Sequence, residues 1–122
     1  MQTAEVRSFF QQQLSTEAAV AHYGVAPASA VTPYLVWNLE EVSYEDGFSL
    51  QELEVDVVDS GEDTAAVESV ADDLQQRLDH LYAMTDTFHV SVYRERRQPI
   101  YENDKTVIRR RLTFQVRLHE RS

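Results

Sequence analysis

The chain contains no cysteine, which excludes disulfides and thiolate metal centres. Its three glycines fall in no phosphate-cradling pattern. Its four histidines, His22, His80, His89 and His119, form no His-x-His or His-x-x-x-His pair, so a zinc site would need ligands gathered by folding alone. Ser8, Ser43 and Ser91 lack the surroundings of a nucleophile elbow. No apolar run reaches the roughly 18 residues of a membrane span. The opening Met1-Gln2-Thr3-Ala4-Glu5 lacks the charged-then-apolar design of a secretory signal, which leaves the cytoplasm as the default compartment. Lysine is nearly missing too, one against ten arginines. These absences leave no catalytic residue, cofactor-binding residue or metal ligand to nominate, and no enzyme, cofactor or membrane partner is expected.

What the chain does have is charge sorted by position. Residues 1–86 carry 17 Asp and Glu against 2 Arg, a formal −15, and residues 87–122 carry 9 Lys and Arg against 4 acids, a formal +5. The net −10 argues against generic affinity for nucleic acid. The asymmetry points to an interaction role in which unlike ends of two copies attract. At 122 residues the chain is most simply one domain.

Val6, Phe9, Phe10 and Leu14 recur at helical spacing and predict a helix over residues 3–14. Thr16 is placed to cap a second short helix, Glu17 to His22, ended by Gly24. Residues 25–32 read as a loop. The aromatic and β-branched run from Tyr34 to Val42 and the alternating run from Phe48 to Val58 read as strands. The Asp46-Gly47 turn joins them into an antiparallel hairpin. Val67, Val70, Ala71, Leu74, Leu78, Leu81 and Tyr82 form an apolar stripe that predicts a helix over 62–83. Phe88, Val90 and Val92 begin another strand, and Arg94 to Lys105 reads as a polar connection. Val107 to His119 is the last strand, with Arg110 the one charge among its apolar positions. The expected class is α+β, in the order α-β-β-α-β-β. Two main helices pack on one face of a mostly antiparallel four-stranded sheet, or a five-stranded one if Pro99-Ile100-Tyr101 pairs as an edge.

Two charged constellations stand out. Glu52, Glu54 and Asp56 share one strand face, with Glu40 across the ladder. Like charges so aligned cost stability unless water, salt or an opposite charge relieves them. Calcium is a poor reading, because such sites draw on loop carbonyls. The second constellation is Arg94, Arg96 and Arg97 with Arg109, Arg110, Arg111 and Arg117. Nucleic-acid binding would want more stacking aromatics than Tyr93 and Tyr101. A solvated sheet face and pairing with a neighbouring subunit's carboxylates both fit, the second because the arginine fork holds carboxylates bidentately.

The layout resembles a known family. A helix ends near Gly24, followed by Pro33-Tyr34-Leu35-Val36-Trp37, Leu53-Glu54-Val55-Asp56-Val57, a helix from Ala65 to Leu81, and Arg110-Arg111-Leu112-Thr113-Phe114-Gln115-Val116. Over nearly the whole of 1–122, read as one tail-terminator-like domain, this is similar to the tail terminator (tail-completion) proteins of long-tailed, non-contractile phages. The resemblance implies a virion protein of the tail and neck, assembled in the host cytoplasm. It implies a homo-hexameric ring that caps the tail tube, stops its polymerisation and meets the head connector or head-closure protein. Genomic DNA would only pass through the lumen. Glu40, Glu52, Glu54 and Asp56 would then face the lumen or a neighbour's arginines, with Arg94, Arg96, Arg97, Arg109, Arg111 and Arg117 as interface residues. Residues 25–32, 44–47 and 95–106 would be the loops that reach the tube or connector. Another neck or head-closure protein is the nearest alternative. A small enzyme or ligand-binding α+β domain, or a nucleic-acid binder, stands further off.

Overall fold

Asp46 and Gly47 both take positive φ, 49° and 80°, the geometry of a two-residue hairpin turn whose twist matches its flanking strands. They join β2 (Tyr34–Glu45) to β3 (Phe48–Ser60), paired antiparallel from Glu45 opposite Phe48 to Tyr34 opposite Val58. The computed structural model describes residues 3–121. Around this hairpin lie α1 (Thr3–Leu14), β1 (Val20–Tyr23), α2 (Ala65–Leu78), β4 (Tyr82–Met84), β5 (Phe88–Ile100) and β6 (Val107–Glu120). The strands form one curled sheet in the order β1-β2-β3-β6-β5-β4. It is mixed, because β1 runs parallel to β2 while the other pairs are antiparallel.

The expected four- or five-stranded sheet is therefore wrong: among the described residues there are six strands, and the two additions lie at the edges. Val20 to Tyr23, within and just after the predicted second helix, is β1. Its start is set by a tight turn in which the Ala19 N–H donates to Thr16 Oγ1 and the Thr16 N–H to the Ala19 carbonyl. The predicted long helix stops at Leu78, where Asp79 turns to extended backbone and His80 takes φ 64°. Tyr82 thus belongs to β4, and the helical spacing of Leu81 and Tyr82 with the α2 stripe is coincidental. The predicted polar connection after Arg94 is in fact the second half of β5, which pairs with β6 as far as Ile100 opposite Arg109. A bulge between Arg94 and Arg96 breaks the alternation there, so the apolar pattern that marks a strand lapses.

Both helices cover the same sheet face. Val6, Phe10 and Leu14 of α1 and Val67, Ala71, Leu74 and Leu78 of α2 join Trp37, Leu53, Val55, Val92, Leu112, Phe114 and Val116 in one buried core. Gln11 ties α1 to the sheet, accepting from the Trp37 indole N–H and donating to the Ala21 carbonyl, both at 2.9 Å. Arg77 of α2 donates to the Gln13 carbonyl near the end of α1, where the helix dipole favours a cation.

Candidate functional site

Strand alternation sends the candidate side chains other than Arg94 and Arg97 to the sheet face opposite the helices. Register fixes them in rows. Glu40, Glu52, Gln115 and Tyr93 form one row; Asn38, Glu54, Thr113 and Arg96 the next; Val36, Asp56, Arg111 and Gln98 the third; Tyr34, Val58, Arg109 and Ile100 the fourth. The expected approach of Glu40 to the acidic strand is thus a direct cross-strand pairing with Glu52.

The third row is neutralised from within. Asp56 is only 4% exposed. Arg111 binds it through Nε at 2.8 Å and Nη2 at 3.0 Å, and Arg109 adds Nε at 2.8 Å. Arg109 also reaches Glu102 at 3.0 Å, and Arg111 lies 3.3 Å from Glu54. The hydrogen bonds to Asp56 hold the Arg111 pKa above its usual value. This spacing is the bidentate geometry that makes arginine–carboxylate pairs strong. On the opposite face, Arg110 donates to Glu68 of α2 at 2.7 Å, and Arg97 bridges Glu68 and Asp72 at 2.9 and 2.7 Å. The bulge in β5 puts Arg97 there, opposite Leu112 on the core side.

Five of the nominated residues, Arg97, Arg109, Arg111, Glu54 and Asp56, therefore have charge partners in their own chain. Glu40, Glu52, Arg94 and Arg96 have no ion-pair partner among the described residues. Arg117 is exposed, bonds Gln115 at 3.1 Å and lies 5.2 Å from the Tyr93 ring centroid. Sequence reasoning missed Glu68 and Asp72, whose signal was acids on the polar side of the α2 stripe. It also missed Glu102, in the β5–β6 turn.

A surface recess of about 340 Å³ lies on the helix side, beside α1 and the hairpin. Arg7 stacks 4.0 Å over the Tyr23 ring there, with Glu41, Tyr44 and Gln51 at the rim. Among the described residues no group of three or more His, Asp or Glu is arranged to hold a metal ion. Among them, too, no helix is long and apolar enough to cross a membrane.

No known protein-family pattern matches the chain, and no curated protein matches it in sequence. Its fold is similar to that of a chain in a solved structure described as the virion of a native gene transfer agent particle. The TM-score is 0.68 at 13% identity, covering 91% of this chain and 90% of that one. Likeness at this identity is likeness of fold.

Proposed function

We propose that the chain is a structural component of a phage-like virion and serves there as the tail terminator. In this reading six copies form a ring on the tail tube, stop its growth and offer a surface to the head connector or head-closure protein, while DNA passes through the lumen. The observation that carries the reading is the fold likeness to a chain of a gene transfer agent virion over nine-tenths of both chains. The fold likeness supports the virion part of the reading, and the terminator role rests on the resemblance of the sequence layout to tail terminators. Glu40 and Glu52, which have no ion pair among the described residues, fit a lumen wall, since carboxylates repel phosphate and leave DNA free to slide.

The test is to make particles without this chain. The reading predicts tubes of uncontrolled length with no heads attached, corrected when the chain is supplied. Tubes of normal length lacking heads would point instead to a head-closure role. Normal, joined particles would exclude both.

A further inference from the structure

Rings scattered through the sequence meet at one end of the open sheet face. His89 stands opposite His119, and His119 opposite Phe48, in one row across β5, β6 and β3. Along it the ring centroids of Phe48 and His119 lie 4.7 Å apart, and those of His119 and His89 6.1 Å. Tyr82 of β4, opposite Ser91, meets His89 at 6.4 Å. Further along β5, Tyr93 meets His80 at 5.5 Å. The His80 N–H donates to the Val92 carbonyl at 2.8 Å, which seats that ring beside the sheet before β4 begins.

The patch is open and cationic. Tyr82 is 59% exposed, and His80 and His119 are exposed too. Alternation turns these side chains away from Val90, Val92, Val116 and Leu118 in the core. Arg117 rises among them, 5.2 Å from the Tyr93 ring centroid and between Leu50 and Ser91 of the adjoining strands. It has no ion pair among the described residues. The acids of this face stand on β2 and β3: Glu45 beyond Phe48, and Glu40 and Glu52 separated from Tyr93 by Gln115.

Flat rings around a guanidinium are the chemistry that receives unstacked bases and their phosphates, because every base has a π-face and every linkage a charge. Neighbouring strands lie about 4.8 Å apart, so β6, β5 and β4 span a platform roughly 10 Å wide. Aromatic side chains on open sheets of that kind stack two or three bases. A duplex keeps its base faces inside its own stack and presents phosphates, which the acids of β2 and β3 repel.

We propose that this end of the face binds single-stranded DNA, holding an unpaired strand end while duplex slides past. The inference rests on the reading above, in which this face looks onto DNA in transit.

The test uses the full chain and a short labelled DNA strand of mixed sequence, read by fluorescence anisotropy, with its duplex as the comparison. The single strand should bind about tenfold or more tighter than the duplex, and Tyr82→Leu and Arg117→Gln should each weaken it about fivefold or more. Tyr82→Phe keeps the ring and should bind as the parent does. So should Tyr101→Leu, whose exposed ring lies past the far end of β5. The substituted side chains are all exposed, and unchanged thermal melts confirm that the variants fold. Duplex bound as tightly as single strand, or Tyr82→Leu binding as the parent does, overturns the inference. No binding at all overturns it too and leaves the rings to a protein partner. If binding fails while tube length is still controlled, only the platform is wrong. If the strand binds and tubes are unaffected by the chain, the platform stands and the terminator role falls.

Discussion

Arg111 and Asp56 stand directly opposite each other on β6 and β3, with the guanidinium gripping the carboxylate at 2.8 and 3.0 Å. The attraction between the acidic and basic parts of the chain is therefore used first within the subunit. Arg97 and Arg110 repeat the pattern on the other face, against Glu68 and Asp72. Of the nominated residues, Arg94, Arg96, Arg117, Glu40 and Glu52 have no ion pair among the described residues and are left for contacts beyond the subunit.

Asp56→Ala is expected to destabilise the fold by about 2–3 kcal/mol. Removing one member of a buried ionic cluster strands its partners, although both arginines keep some access to water. Arg111→Ala is expected to cost less, about 1–2 kcal/mol, because Arg109 still bonds the carboxylate. Urea unfolding of the two variants checks the order. Equal, negligible losses would show the cluster to be energetically idle.

Glu52→Gln should stabilise the isolated subunit by roughly 0.2–1 kcal/mol, because Glu40 and Glu52 are like charges directly across the ladder. Thermal unfolding at low salt reads the gain, and added salt should shrink it. If the variant is less stable than the parent, Glu52 has a favourable partner and the lumen assignment loses its basis.

Deleting Glu95 should damage the fold less than Arg97→Ala. Glu95 is the extra residue of the bulge: Arg94 pairs with Phe114 and Arg96 with the adjacent Thr113, so its loss leaves a regular ladder with every other partner kept. Arg97 stays opposite Leu112 and keeps Glu68 and Asp72. Arg97→Ala loses that half-buried bridge, about 1–2 kcal/mol. Circular dichroism melts of both variants check the order, and a larger loss for the deletion would show that the ladder slips instead of closing up.

Asp104 accepts hydrogen bonds from the Thr106 hydroxyl at 2.6 Å and the Thr106 N–H at 2.9 Å. These draw its pKa below the ordinary 3.8. Its folded value is depressed, so its contribution to the β5–β6 turn is complete above the unfolded value and is lost as pH falls through the lowered folded one. Carboxyl NMR titration should give an Asp104 value under 3.8, rising toward it in Thr106→Val.

The parts of the fold legible in the sequence were those whose signals are local. Asp46-Gly47 announced the hairpin, and the Val6, Phe10 and Leu14 spacing announced α1. The misses were decided by distant residues. β1 is a strand because β2 offers it an edge, which nothing in Glu17 to His22 encodes. α2 ends where His80 adopts a left-handed turn, against a periodicity that continues through Tyr82. The strand after Arg94 was hidden because its bulge shifts the alternation by one. The charged candidates were visible as residue types, but Asp56 and Arg111 lie 55 positions apart, and only the register of β3 with β6 brings them together.

The central claim is best tested by cryo-electron microscopy of intact particles that carry a tag on this chain. The account predicts a closed six-fold ring at the head-proximal end of the tail tube. Tag density elsewhere in the particle, or single copies without a ring, would contradict it.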